Sequence, residues 1–196
     1  MVKKIIITGG LGYIGTELCK IYSGTSWHHK VIVFDNRFIS ERVNQIRNWN
    51  MEFVHGDILD KDLIVKYFKD ADVVHHLAGI TDVPRTKGES TNERDNKIKL
   101  VGEKGTQNIL DVVSDKCKII FPSTHVIYEG IDNVKNDIKE NETPEPVLSY
   151  STSKANNEKQ LKESGKNYVI LRLGSVYGYS LDTTRIDIMP NLFSKI

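Results

Sequence analysis

The sequence predicts an α/β protein built on a doubly wound parallel sheet, and three observations carry that reading. Short apolar runs recur at 5–7, 31–34, 53–54, 73–74, 119–121 and 169–171. Longer stretches of mixed polarity separate most of them, as helices alternating with strands would. The runs are rich in β-branched residues and barely alternate in polarity, the pattern of strands covered by helices on both faces.

Taken in order, Ile5-Ile6-Ile7 reads as the first strand and stops at the glycines that follow Thr8. An amphipathic stretch then predicts a helix over about 13–23, with ends uncertain by about two to four residues. Val31-Ile32-Val33-Phe34 is the second strand and Phe53-Val54 the third. Further helices are expected at about 60–69, 91–114 and 149–164, set between the remaining strands. The segment 140–146 holds Asn141, Pro144 and Pro146. It is polar and helix-breaking, and reads as a loop, a candidate lid over the face where Tyr150 emerges.

With 196 residues and 39% hydrophobic content, the chain can bury one core and is short for two typical domains. A single domain over 1–196 is expected. The 27 basic and 26 acidic side chains nearly cancel, so no global field draws nucleic acid or an anionic membrane. Cys19 and Cys117 stand alone, without partners at metal-ligand spacing, and read as reduced structural thiols; no metal site is expected. The apolar start ends at Thr8, far short of a signal peptide or a membrane span, so a cytoplasmic location is expected.

Directly after the first strand comes Thr8-Gly9-Gly10-Leu11-Gly12-Tyr13-Ile14-Gly15. One glycine makes the tight turn, Gly12 lets the backbone approach a pyrophosphate, and Gly15 permits close packing of helix on sheet. The helix starting near Tyr13 and Ile14 would aim its N–H groups and positive dipole end at the phosphates. A glycine string alone is weak, but here a strand precedes it, a helix follows, and Asp35 ends the second strand twenty positions past Gly15. That acid can accept hydrogen bonds from an adenosine ribose and would repel a 2′-phosphate. The combination is a Rossmann dinucleotide site with NAD favoured. Arg37 reads as a surface arginine; it is also the one neighbour able to welcome a 2′-phosphate, which keeps NADP as the lesser alternative.

Tyr150-Ser151-Thr152-Ser153-Lys154 puts a phenol and an ammonium on one helix face at i and i+4. A tyrosine with a reference pKa of about 10 must fall by roughly three pH units, about 4 kcal/mol, to act as a base near neutrality. Lys154, the helix N-terminus and the positive ring of the oxidised cofactor all push in that direction. Thr124, at the end of the fifth strand, offers a hydroxyl to orient a substrate alcohol.

The segments TGGLGYIG, FDNR, HGDILD, HHLAG, STHVIYEG, YSTSK and LRLGSVYG occur in the order and spacing typical of the NAD-dependent epimerase/dehydratase family. From Ile5 to about Gly178 the chain resembles its sugar-nucleotide 4-epimerases. The resemblance implies a sugar-nucleotide substrate, transient oxidation of a sugar hydroxyl, and Thr124, Tyr150 and Lys154 as the catalytic residues. It further implies that Gly9, Gly12, Tyr13, Ile14, Gly15, Asp35 and Asn36 bind the cofactor, with Asp57 and Ile58 at the adenine. Leu77, Ala78 and Gly79 would line the cofactor path, and Tyr150 and Lys154 would also contact it. A homodimer through a bundle of the 91–114 helix and the helix from Ser149 is implied too, although those helices need apolar faces simply to cover the sheet.

Several positions depart from the family pattern. His125-Val126 stands where dehydratases carry an Asp-Glu pair, which disfavours dehydration. Gly102 and Ser175 stand where the family places amides. The family also continues past Phe193 with a domain-sized region, so 179–196 reads as the start of a shortened substrate-binding part. Two alternatives accompany the epimerase reading: an NAD(P)-dependent keto-sugar-nucleotide reductase, or a cofactor-binding module without turnover of its own.

Overall fold

The computed structural model describes residues 2–25, 27–81, 86–133 and 135–180, together with 190 and 193. Six parallel strands form one sheet: β1 (Lys4–Thr8), β2 (Lys30–Asp35), β3 (Glu52–His55), β4 (Val73–His76), β5 (Lys118–Thr124) and β6 (Asn167–Leu173). Their order is β3-β2-β1-β4-β5-β6. The chain works outward from β1 to β3, then returns to β4 on the other side of β1, creating a switch point between β1 and β4. In doubly wound sheets the ligand crevice opens at the carboxyl ends of the strands flanking that point.

The lack of polarity alternation in the strands has a direct cause in the packing. Ile5, Ile7, Val31 and Val33 point to one face, where they meet Leu11, Cys19, Val43 and Ile46. Ile6, Ile32, Phe34 and Val74 point to the other, against Ile64, Phe68, Ile109 and Leu161. Helices α1 (Tyr13–Ser23) and α2 (Ser40–Asn48) cover the first face. Helices α3 (Lys61–Phe68), α5 (Gly105–Val112) and α6 (Ser149–Glu163) cover the second face, and α4 (Asn92–Lys99) packs beside α6.

The helices at about 13–23, 60–69 and 149–164 are found with boundaries shifted by at most one residue. Helix α2 was not expected. Only Val43 and Ile46 are buried in it, two contacts three residues apart, too few for a periodic signal in a polar sequence. A crossover is nonetheless required there, because β2 and β3 are parallel neighbours. The stretch expected as one helix over 91–114 is interrupted by a π-helical turn, Leu100–Lys104, between α4 and α5. Gly102 lies in that turn against α6, where a Cβ would come within 2.3 Å of the Ser153 hydroxyl. The glycine leaves that space to the Ser153 hydroxyl.

Segment 140–146 is a loop, as expected, and it is tied down. The Glu145 amide donates to the Ile127 carbonyl at 2.8 Å, and the Gly130 amide donates back to Glu145 at 2.8 Å. Arg172 donates to the Glu140 carbonyl at 2.7 Å. Cys19 and Cys117 are free and buried. No helix among the described residues is long and apolar enough to cross a membrane. The part of 179–196 beyond Ser180, apart from residues 190 and 193, lies outside the described residues.

Candidate active site

The glycine loop is shaped by close backbone approaches. Gly9 has φ +65°, a left-handed conformation that glycine adopts without cost. Its amide donates to the Phe34 carbonyl at 2.8 Å and its carbonyl accepts from Gly12 at 3.0 Å. A Cβ on Gly15 would stand 2.4 Å from the Gly9 oxygen and 2.7 Å from Gly10 Cα. Gly15→Ala is therefore expected to destabilise the protein by about 1–3 kcal/mol through overpacking and to weaken dinucleotide binding by displacing the loop. Thermal melting and a dinucleotide titration check this; unchanged melting temperature and affinity would refute it.

Helix α1 begins at the carboxyl end of β1 with Gly12 as an extended N-cap. No side chain caps it and its first turn holds no acid. The helix N-terminus thus keeps its positive end for an anion, and Tyr13, Ile14 and Gly15 occupy that first turn. The Tyr13 hydroxyl donates to the Gly178 carbonyl, bringing the segment after β6 across to α1.

Asp35 is buried at the end of β2, with the Leu11 amide 2.9 Å from its Oδ2 and the Arg37 amide 2.9 Å from its Oδ1. Asn36 donates to Asp57 Oδ2 at 3.2 Å, and Asp57 Oδ1 accepts from the Leu59 amide at 2.9 Å. The carboxyl ends of β2 and β3 are thereby joined. Ile58 directs its side chain into the core beneath Gly105.

On the other side of the switch point, Ala78 and Gly79 share one cavity with Phe121, Tyr150, Lys154 and Asn157. Leu77 packs into the core of the first sheet face. A larger depression of about 430 Å³ lies between His29, Lys30, Arg47 and Glu52. It sits at the amino ends of β2 and β3, the wrong end of a parallel sheet for its ligand, which leaves the cavity at Tyr150 as the candidate site.

Tyr150 and Lys154 lie one turn apart on α6, as their spacing required. The Lys154 ammonium donates to the Pro122 carbonyl at 2.8 Å and stands 4.4 Å from the Phe121 ring centre and 5.9 Å from that of Tyr150. Burial pulls its pKa down to about 8. Thr124 ends the same strand, and its Oγ accepts from the Val126 amide at 3.3 Å, which leaves the hydroxyl proton to be aimed. His125, exposed, places Nδ1 3.1 Å from the Leu173 carbonyl. Ser175 is exposed in the segment beyond β6.

A buried polar string joins the two halves of the site, and the sequence reading missed it. The Ala78 amide donates to Thr8 Oγ at 3.0 Å, and Thr8 Oγ lies 3.1 Å from His76 Nδ1. His76 Nε2 is 3.0 Å from Thr106 Oγ, which accepts from the Asn157 amide at 3.1 Å. Burial, reinforced by the nearby Lys154 charge, pushes the His76 pKa down to about 3. Its ring is neutral and serves as a strut. Asn157 also donates to the Gly102 carbonyl at 3.1 Å. Position 102 carries no side-chain amide of its own, and the place of Asn157 three residues after Lys154, on the same helix face, was the available signal for this contact.

Helix α6 is held at its start by Glu129. Its Oε1 accepts from the Val147 and Leu148 amides at 2.8 and 2.7 Å, and from the Ser151 hydroxyl. Burial opposes ionisation, yet the Ser151 hydroxyl and the two amides hold its carboxyl below the ordinary glutamate range. Among the described residues no group of three or more His, Cys, Asp or Glu side chains gathers as a metal site.

An uncapped helix after a glycine loop, a buried acid ending β2 and a Tyr–Lys pair beside the chain that leaves β4 at the switch point define a Rossmann-type dinucleotide protein. The family model described as NAD dependent epimerase/dehydratase family matches residues 5–196, and the chain belongs to that family. A putative UDP-glucose 4-epimerase of Methanocaldococcus jannaschii is 33% identical over 186 residues, 91% of this chain and 57% of that protein. A dTDP-D-glucose 4,6-dehydratase of Dictyostelium discoideum is 29% identical over 198 residues, 90% of this chain and 44% of that protein. The chain spans about half the length of these relatives. The structure of a Bacillus cereus UDP-glucuronic acid 4-epimerase with UDP-glucuronic acid and NAD superposes with a TM-score of 0.76 at 28% identity, covering 96% of this chain and 60% of that one.

Proposed function

We propose that this chain is the dinucleotide-binding part of an NAD-dependent sugar-nucleotide 4-epimerase, in which Tyr150 removes the proton of a sugar hydroxyl. The observation that carries the reading is that Tyr150 and Lys154 meet Ala78 and Gly79, at the end of β4, around one small cavity of about 20 Å³. There a base on α6 faces the path a dinucleotide takes from the glycine loop. NAD, when bound, would accept a hydride from the sugar carbon and return it to the other face. Gly9, Gly12 and the first turn of α1 would hold the pyrophosphate, and Asp35 the adenosine ribose. Asn36 and Asp57 would border the adenine, with Ile58, whose side chain is buried in the core, offering only its backbone there.

Lys154 lowers the cost of the Tyr150 phenolate by its charge and reaches for the nicotinamide ribose. Thr124 orients the substrate hydroxyl. The His76 strut keeps α6 in register with the carboxyl end of β4, which matters because a misplacement of about 1 Å at the reacting atoms can cost on the order of a hundredfold. A homodimer through the outer faces of α4 and α6 is proposed as the assembly; Leu100, exposed beside them, would be covered by it.

The full-length enzyme containing this part, incubated with NAD and a panel of nucleotide-linked hexoses, is expected to interconvert one epimeric pair with no net change in absorbance of the reduced nicotinamide. Stoichiometric consumption of reduced cofactor would replace the epimerase reading with that of a keto-sugar reductase. NAD binding without turnover of any sugar would leave a cofactor-binding module.

A further inference from the structure

We propose that Arg37 sets how strictly this protein discriminates NAD from NADP, by occupying the ribose-binding face of Asp35 and gripping a 2′-phosphate when displaced. The inference rests on the proposed placement of the adenosine ribose at Asp35. An ionised carboxylate offers about four lone-pair sites, and at Asp35 four donors already converge. Two are backbone amides, Leu11 on Oδ2 and Arg37 on Oδ1, both at 2.9 Å. The other two come from the Arg37 guanidinium, Nε at 3.3 Å from Oδ1 and Nη2 at 3.5 Å from Oδ2.

The two amides are fixed by the chain and cannot yield. The guanidinium contacts are long, and the Arg37 side chain is 52% exposed while that of Asp35 is 3% exposed. A ribose diol donating to Asp35 therefore takes the place of the guanidinium. Arg37 stays tethered two residues away, and its Nη2, folded on Asp35, already lies 3.7 Å from where a Cβ of Gly12 would stand, so a displaced guanidinium has only a short way to move to a phosphate between the ribose site and the glycine loop. A planar guanidinium with five donors in a fixed fork matches phosphate geometry. One side chain thus weakens NAD slightly by competition and offsets the repulsion between Asp35 and a 2′-phosphate.

The test is calorimetric titration of the wild-type protein, Arg37→Ala and Arg37→Lys with NAD and with NADP, melting temperatures being measured alongside. Wild type is expected to prefer NAD by less than about a hundredfold. Arg37→Ala should lose about ten- to a hundredfold in NADP affinity, the scale of a charged hydrogen-bonded contact, while NAD binding changes less than about threefold or tightens. Arg37→Lys, keeping the charge without the fork, should fall between. An NADP-to-NAD affinity ratio unchanged in Arg37→Ala overturns the proposal while leaving the cofactor site standing, as does a wild-type preference above a thousandfold. Failure of wild type to bind either dinucleotide overturns the cofactor reading and this inference with it. Should Arg37→Ala not fold, the lysine variant carries the same decision.

Discussion

Tyr150→Phe, made in the full-length enzyme to which this chain is proposed to belong, is expected to lower sugar-nucleotide turnover by about a hundred- to ten-thousandfold, the range for removing a positioned general base, with NAD affinity changed by less than about threefold. Phenylalanine keeps the ring that lies beside Lys154 and removes only the hydroxyl. Packing of α6 should survive, and the loss should fall on the chemical step. The pH profile adds a second check. The buried Lys154 ammonium, with its pKa pulled to about 8, is charged below that value and helps to ionise Tyr150. Above it the charge and the help are lost, so the wild-type rate should decline on the alkaline side near pH 8. Steady-state rates of wild type and variant across pH 6–10 decide the matter; a Tyr150→Phe enzyme turning over at the wild-type rate would falsify the base assignment.

What the sequence made legible was everything whose cause is local. The six strands show as apolar runs because helices cover both faces of the sheet, and Ile5-Ile6-Ile7 had to be apolar throughout for that reason alone. The glycine loop, Asp35 and the Tyr150–Lys154 pair were readable because each depends on a spacing along one or two elements. What stayed hidden depends on tertiary contact. Helix α2 has only two buried residues, so its existence follows from the crossover it makes. The π-helical turn at 100–104 lies against α6, with Gly102 beside Ser153. Glu129 caps α6 from 18 residues before Val147, too far for any capping motif to show. Arg37 read as an ordinary surface arginine because nothing in FDNR reveals that its guanidinium folds back on Asp35.

Arg172→Met is expected to destabilise the protein by about 3–5 kcal/mol, the cost of leaving a buried charge without its partner. Glu158 is 2% exposed on α6, one turn past Lys154. Its Oε1 accepts from the Ser123 hydroxyl at 2.6 Å and from Arg172 Nε at 2.9 Å, and its Oε2 from Arg172 Nη2 at 2.6 Å. Lys162 stands 3.5 Å away but is half-exposed and too loosely placed to replace a bidentate guanidinium. The pair therefore fastens α6 to β5 and β6 at once, and its loss should lower the melting temperature by roughly 10 °C for a chain of this size. Glu158→Leu combined with Arg172→Met should recover much of that loss, because no buried charge is left behind. Acid supplies an independent check. Although burial opposes ionisation, the hydrogen bonds from Arg172 and Ser123 hold the Glu158 carboxyl below the ordinary value of 4.5. Its contribution is therefore full above pH 4.5 and is lost as the pH falls below that value and through the folded-state pKa. In Arg172→Met burial is left largely unopposed, Glu158 protonates more readily, and acidification should cost the variant less than it costs wild type. Melting curves at pH 7 and at pH 4 test both halves: equal melting temperatures at pH 7, or a gap that widens in acid, would overturn the role given to the Arg172–Glu158 pair in holding α6.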